Sequence, residues 1–445
     1  MNKKLEEFNE KLKKSKIAII GLGVSNIPLL DYLYGLNCDV TIFNKKEINL
    51  DFSEYNYKAF IGEDYLDHLV GFDIIFRSPS CLPSNPKLRE EEKRGAYITT
   101  EIEEVIRLTP SKVIGITGSD GKTTTTTLIS EVLKANGYKV FLGGNIGTPL
   151  FTEIKNMTEK DIVVLELSSF QLMEMRVSPE ISVITNISPN HLDYHSSYDE
   201  YIEAKKSIYK NSNGILVLNK DNEITSKLVS NREIRYFSRY SKTNCFYTID
   251  DKIYYQDKEI LDCSLLKIRG RHNHENICAC LSATIDLIDL DKSLEAIKKF
   301  SGVEHRLEFV REINGAKWYN DSVSSSPTRT IAGLESYKER IVLIAGGYDK
   351  NLDYTPIAKP ILEHVRVLIL FGKTKDKIYN AVTNAKTNED IEIYTLNTLE
   401  EVVNKAHETA RSGEVVLFSP ASASFDMFKN FADRGLQFKE LVNKL

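Results

Sequence analysis

The sequence is short of the features that would make it a membrane, secreted or nucleic-acid-binding protein. No apolar run in its 445 residues approaches the roughly 20 needed to span a bilayer. Near the lysine-rich N-terminus, Ile17-Ala18-Ile19-Ile20 is too short for a signal core and runs straight into a glycine turn. Cysteine is sparse: six residues, at 38, 81, 245, 263, 278 and 280, with no Cys-x-x-Cys and no metal-ligand spacing. They read as reduced thiols in a cytosolic protein, which excludes a disulfide scaffold. Basic excess is missing too, because 58 Lys and Arg stand against 63 Asp and Glu for a formal net charge of -5. That balance leaves no electrostatic footprint for nucleic acid. What remains is 42% apolar and 27% charged, an ordinary globular composition on a chain long enough for two to four domains. The expectation is a soluble, cytoplasmic, multidomain enzyme acting on small molecules, with no nucleic-acid partner and no membrane insertion.

The chain pattern sharpens this to three α/β domains in series. Lys16–Ile20, Asp39–Phe43 and Phe72–Phe76 are strand-like runs separated by helical patterns, which predicts a Rossmann-like parallel sheet over residues 1–107. A short helix over Thr99–Thr109, ended by Pro110, marks the boundary. A central P-loop-type ATPase domain over 108–302 follows, with strands at Val113–Thr117, Ile162–Leu165, Ile181–Ile184 and Ile215–Leu218. Tyr247–Lys258 loses the βα rhythm and reads as small antiparallel strands. Helices over Glu275–Ile288 and Leu294–Phe300 close this domain. The third, Rossmann-like domain (303–445) opens with a hairpin turning at Asn314-Gly315 and continues through Ile341–Ile344, Val367–Leu370 and Val415–Phe418.

The strongest chemical signal is Thr117-Gly118-Ser119-Asp120-Gly121-Lys122-Thr123-Thr124, which leaves a strand and opens a helix. Glycines let backbone N–H groups turn toward phosphate oxygens. The helix N-terminus adds partial positive charge, Lys122 a full one, and the Thr123 hydroxyl a Mg²⁺ ligand. The spacing is tighter than the ordinary P-loop, since Ile116 stands where that pattern needs glycine. Glu166 ends the strand Ile162–Leu165, where open sheets bind ligands, and is the carboxylate such a loop needs for Mg²⁺. His191, just past the strand Ile181–Ile184, stands on the same edge and suits a second metal ion. His195 lies four residues further on, but no third Cys or His lies nearby to complete a zinc site.

With these residues assembled, the chain resembles the Mur ligase family along its whole length. The resemblance rests on the loop, on Gly143-Gly144-Asn145-Ile146-Gly147, on Glu166 through Leu172 and on Asn186 through Asp193. Further on it rests on Lys205 through Tyr209, His272-Asn273 with Asn276, Glu304-His305-Arg306, Asn320-Asp321-Ser322 and Ser419 through Ser424. It implies ATP-dependent amide-bond formation through an acyl phosphate, which fits the lack of any recognisable nucleophilic triad. By resemblance, Lys122 with Gly118, Ser119, Asp120, Gly121, Thr123 and Thr124 holds ATP phosphates, and Asn273, Asn276, Arg306 and Asp321 surround the rest of the nucleotide. Thr123 and Glu166 hold one Mg²⁺; His191 and a carbamylated Lys205 hold a second, Lys205 being chosen over Lys206 because it stands three before Ile208-Tyr209. Asn145 and His191 flank the reacting carboxylate.

The substrate ends follow from the same resemblance. The first glycine loop has Asn26 where a dinucleotide fingerprint has its third glycine, and no acidic residue ends the next strand, which argues against NAD. Val24, Ser25, Asn26, Asn44 and Lys45 are instead expected near a uridine diphosphate. The chain lacks the Asp-Asn-Pro-Arg stretch of relatives that add diaminopimelate or lysine. It resembles the D-glutamate adders, with Ser325, Lys350, Ser424 and Phe431 around the amino acid and UDP-N-acetylmuramoyl-L-alanine as the carboxylate substrate. The alternatives are another amino-acid-adding Mur ligase or a folylpolyglutamate synthase-like ligase. One departure stands out: Val323 replaces a lysine common in D-glutamate adders, Ser325 replaces a threonine, and Arg329 is the nearby candidate for the missing charge. A monomer is expected.

Overall fold

The computed structural model describes residues 2–47, 57–189, 195–268, 270–350, 352–385 and 391–445. The chain forms two compact units, one made of Met1–Leu266 with Arg271–Lys299, the other of Lys267–Gly270 with Phe300–Leu445.

The first unit carries two parallel sheets. Strands β1 (Lys16–Ile20), β2 (Asp39–Asn44), β3 (Lys58–Ile61), β4 (Ile74–Arg77) and β5 (Tyr97–Thr99) lie in the order β3-β2-β1-β4-β5. The chain reverses direction across the sheet between β1 and β4, so their carboxyl ends open a crevice there. The second sheet contains β6 (Lys112–Thr117), β7 (Val140–Gly144), β8 (Ile162–Glu166), β9 (Ile181–Ile184), β10 (Ile215–Asn219) and β11 (Glu233–Phe237), ordered β11-β10-β9-β6-β8-β7. Its inner strands are buried at every position of β8 and β9, as a sheet covered by helices on both faces requires. A small antiparallel sheet of β12 (Phe246–Ile249), β13 (Lys252–Tyr255) and β14 (Lys258–Asp262) occupies the region where the βα rhythm was expected to lapse.

The expected boundary near residue 107 falls inside this unit. The helix Glu101–Leu108 has Ile102, Val105 and Leu108 in one hydrophobic cluster with Ile17, Leu29, Val163, Leu165 and Leu216, so both parallel sheets share a core. Glu101 adds a polar tie, its Oε1 accepting the backbone N–H groups of Leu150 and Phe151 at 3.1 and 2.9 Å. The N-terminal lysine-rich segment is the helix Lys3–Lys13, capped by the Asn2 side chain and seated on Leu5, Phe8 and Leu12.

The second unit is one sheet of β15 (Glu308–Ile313), β16 (Ala316–Asn320), β17 (Ile341–Gly346), β18 (Val365–Phe371), β19 (Glu392–Thr395) and β20 (Val415–Phe418), ordered β15-β16-β20-β17-β18-β19. Only β15 runs antiparallel, paired with β16 through the Asn314-Gly315 turn, where both residues have positive φ (51° and 80°). That is the conformation the Asn-Gly pair favours in a tight hairpin.

Candidate active site

At the carboxyl end of β6 the loop 118–121 feeds the helix Lys122–Ala135. Lys122 Nζ curls back over this loop and donates to the Gly118 and Ser119 carbonyl oxygens, both at 2.9 Å. The Ser119 and Asp120 N–H groups are taken by the Asn186 backbone and side-chain oxygens, each at 2.9 Å. The phosphate-facing donors are therefore those of the helix's first turn, which no helical carbonyl can reach. Gly121 has a φ of +76°, and a Cβ there would collide with Asn276 Oδ1. Asn276 lies in the second turn of the helix Arg271–Thr284, accepts from Thr125 Oγ1 at 3.3 Å and donates to Asn273 Oδ1 at 3.2 Å. The structure thus sets Asn276 against the loop, with Asn273 bonded behind it. The neighbouring Glu275 is held by Asn219 Nδ2 at 2.7 Å, and burial pushes its carboxyl up to about 7.

Glu166 closes β8 and is fully buried, with Oε1 accepting from Asn145 Nδ2 at 2.8 Å. Its Oε2 has no hydrogen-bond partner among the described residues. A buried carboxylate oxygen left open beside a phosphate loop fits a hard cation, and Thr123 Oγ1, which has no hydrogen-bond partner among the described residues, fits the same ion. Lys205 is 1% exposed; its Nζ donates to the Gly118 oxygen at 2.8 Å and to Thr117 Oγ1 at 3.3 Å, and sits 4.7 Å from the Tyr201 ring centre. Burial and the nearby Lys122 charge drive its pKa well below the ordinary lysine value, against the pull of Asp120 and Glu166. His191 lies outside the described residues. His195 is no metal candidate: its Nε2 meets Ser169 Oγ at 2.9 Å and its ring stacks on Phe170 at 5.5 Å.

A cavity of about 520 Å³ opens at the β1/β4 crevice. Val24, Ser25, Asn26 and Asn44 line it, with Val24 79% exposed. Asn44 Oδ1 accepts from Leu22 N–H at 2.9 Å, and Asn26 Nδ2 donates to the Gly21 oxygen at 2.8 Å, so both side chains fix the turn that forms the wall. Lys45 is not in the lining; it pairs with Glu63 at 2.8 Å. Ser78, Pro79, Ser80 and Phe170 complete the wall. The crevice rule, applied to Phe76 as a strand end, would have reached the serines; Phe170 stood in the Glu166–Leu172 stretch, but nothing there marked it as a wall of this cavity.

In the second unit, Asp321 is buried at the end of β16. It accepts from Leu307 N–H at 3.2 Å and from the Ser324 and Ser419 hydroxyls at 2.6 and 2.7 Å, while burial raises its carboxyl to about 6. Arg306 lies in the turn where its N–H meets the Val303 oxygen at 3.0 Å. Ser325 is half-buried, Ser424 buried, and Phe431 exposed at the start of the helix Phe431–Lys444. The sequence marked Arg434 only as part of the resemblance to D-glutamate adders; in the structure it is wholly buried and ties these loops together. It donates to Ser322 Oγ and its carbonyl at 3.0 and 2.8 Å, and to the Ser422 and Ala423 oxygens at 3.0 and 2.9 Å. Lys350 sits 5.6 Å from the Phe425 ring centre, and Arg329 Nη1 donates to the Val323 oxygen at 3.4 Å.

Known proteins share this chain's sequence and fold. Residues 116–284 match the Mur ligase middle domain and residues 305–422 the Mur ligase, glutamate ligase domain. The chain is 46% identical over 458 residues to a UDP-N-acetylmuramoylalanine--D-glutamate ligase of Clostridium botulinum (strain 657 / Type Ba4), covering 100% of both. It is 47% identical over 458 residues to the enzyme of that name in Clostridium kluyveri, again with 100% of both covered. The UDP-N-acetylmuramate-alanine ligase of Thermotoga maritima shares the fold, with a TM-score of 0.63 at 20% identity over 97% of this chain and 99% of that one. Sheet order, phosphate loop and sequence kinship define an ATP-dependent amide ligase of α/β architecture. The chain belongs to the Mur ligase family.

Proposed function

We propose that the protein joins D-glutamate to UDP-N-acetylmuramoyl-L-alanine at the expense of ATP, in cytoplasmic peptidoglycan precursor synthesis. The observation that carries the reading is the meeting of Lys122, the open Glu166 oxygen and buried Lys205 around one phosphate loop, in a chain 46% identical to D-glutamate ligases across its whole length.

A carboxylate is a poor acyl donor at neutral pH, so the alanyl carboxylate first takes the γ-phosphoryl group of ATP; the glutamate amine then attacks the acyl phosphate and phosphate departs. Lys122 and the first-turn amides hold the phosphates and meet the charge that spreads over the transferring group. Asn273 and Asn276, with Arg306 and Asp321, bind the remainder of the nucleotide. Bound Mg²⁺ supplies Lewis-acid polarisation of the phosphoryl group. Thr123 and Glu166 would hold one ion; His191 and Lys205 would serve a second. Asn145 orients Glu166 and, with His191, faces the reacting carboxylate.

Lys205 acts as a carbamate in this reading. An ammonium buried beside Lys122, with no carboxylate at ion-pair distance among the described residues, opposes the charge a metal site needs. Carbamylation reverses that charge and adds two oxygen ligands. The uridine diphosphate occupies the 520 Å³ cavity against Val24, Ser25, Asn26 and Asn44, and Lys45, next in the chain after Asn44, leaves Glu63 to meet it. D-glutamate meets Ser325, Lys350, Ser424 and Phe431.

The test is phosphate release from ATP with UDP-N-acetylmuramoyl-L-alanine, comparing D-glutamate with L-glutamate, L-lysine, L-alanine and diaminopimelate. D-glutamate is expected to dominate; preference for any other amino acid overturns the assignment. Lys205→Ala is expected to lose activity by about 100-fold or more and regain part of it with added acetate or formate. Full activity in that variant excludes the carbamate.

A further inference from the structure

Two lysines stand at adjacent strand ends of the second unit, neither with an ion pair among the described residues. Lys350 follows β17 and Lys373 follows β18, and these loops are laced together. Gly347 N–H donates to Thr374 Oγ1 and Thr374 N–H to the Gly347 oxygen, both at 3.0 Å, while Thr374 Oγ1 meets Ser422 Oγ at 2.8 Å. The backbones cross so closely that a Cβ on Gly372 would lie 2.7 Å from the Gly347 Cα. Tyr348 N–H joins the Ala423 oxygen at 2.8 Å, which sets these loops beside Ser424 and Phe425.

On this base the Tyr348 and Phe425 rings meet edge-to-face, with centroids 6.0 Å apart. Lys350 Nζ lies 5.6 Å from the Phe425 ring centre and Lys373 Nζ 5.8 Å from that of Tyr348. Neither ammonium has an ion pair or hydrogen bond among the described residues. The lysines that follow are engaged: Lys375 donates to Asn397 Oδ1 at 3.1 Å and Lys377 pairs with Asp349 at 2.6 Å. Asp426 Oδ2 accepts the Lys373 backbone N–H at 3.2 Å and so fixes where that side chain starts. An aromatic face steadies a cation without cancelling its charge, so both ammonium groups keep their full attraction for an anion.

We propose that Lys373 is a specificity-determining residue: together with Lys350 it reads the second carboxylate of a dicarboxylic amino acid and replaces the lysine absent at Val323. The inference rests on the D-glutamate reading above. Arg329, the rival candidate, spends a guanidinium N–H on the Val323 carbonyl instead.

The test uses the full-length enzyme with saturating ATP and UDP-N-acetylmuramoyl-L-alanine. Lys373→Met keeps most of the side-chain volume and removes the charge. It is expected to raise the KM for D-glutamate by about 10-fold or more, the worth of a charge-assisted hydrogen bond, and to leave the KM values of the other two substrates within about twofold. The preference for D-glutamate over D-glutamine should fall by a similar factor, and Lys373→Arg should restore most of it. Arg329→Gln should leave the D-glutamate KM within about twofold. An unchanged D-glutamate KM in Lys373→Met overturns the proposal. So does an equal loss with D-glutamate and D-glutamine, which marks a structural role, or a D-glutamate-specific loss in Arg329→Gln. A wild-type enzyme inactive with D-glutamate removes the functional reading and this inference together, whereas an active wild type beside an unaffected variant removes the inference alone.

Discussion

Glu166 shows how one side chain can serve two neighbours. One oxygen holds Asn145, while the other is buried and open. Glu166→Gln keeps the shape and an acceptor for Asn145 but removes the charge a cation needs. Activity is expected to fall by about 100-fold or more, the Mg²⁺ concentration for half-activity to rise, and binding of UDP-N-acetylmuramoyl-L-alanine by calorimetry to stay unchanged. A substitution that leaves the Mg²⁺ dependence alone removes Glu166 from the metal site. Gly121→Ala tests the loop itself. The positive φ and the clash with Asn276 act together, so stability should drop by about 1–2 kcal/mol and ATP affinity by about 10-fold or more. Residues of this kind were legible in the sequence because their spacing encodes backbone chemistry: glycines, lysine and threonine at one strand-to-helix turn. Arg434 as a tie between loops and Phe170 as a cavity wall were not legible, because each acts on residues distant in the chain and has no local signature.

At the scale of elements, the strands that escaped sequence reading are edges. Lys58–Ile61, Tyr97–Thr99, Val140–Gly144, Glu233–Phe237 and Glu392–Thr395 all border their sheets. An edge strand buries less of each side chain and tolerates charge and glycine, so it lacks the run of Val, Ile and Leu that betrays a central strand. The edge hairpin Glu308–Asn320 was recognised only through its Asn-Gly turn. Central strands, and the helices following the glycine loops, were readable for the opposite reason. The Glu101 tie offers a test of one junction. Burial raises its carboxyl from the ordinary 4.5 to about 7, opposed by its two backbone donors. The folded state therefore prefers the protonated acid: its relative stability is complete below pH 4.5 and is lost as pH rises through 7. Both donors use Oε1, which glutamine retains. Glu101→Gln should thus gain about 3 kcal/mol over wild type at pH 8, a difference that vanishes near pH 4.5. Parallel melting curves of the two proteins from pH 4.5 to 8.5 would refute the assignment.

For the molecule as a whole, two separate sets of cores imply two cooperative transitions. Scanning calorimetry should resolve them, and a non-hydrolysable ATP analogue with UDP-N-acetylmuramoyl-L-alanine should raise chiefly the transition of the first unit, following the concentration of ligand over its Kd. A single transition that no ligand splits would show the units to be energetically one. The net charge of -5 takes no part in gathering substrates that are themselves anionic; in the proposed reading, helix termini and the lysines at strand ends do that locally. The six cysteines carry a further consequence. All are buried, and desolvation lifts those at 38 and 81 to about 11. The native surface is therefore silent toward maleimides. A single thiol introduced as Val24→Cys, on the open rim of the cavity proposed for the uridine diphosphate, becomes the molecule's sole reactive thiol. A fluorophore attached there would report the arrival of the nucleotide sugar in real time, with no background labelling to subtract.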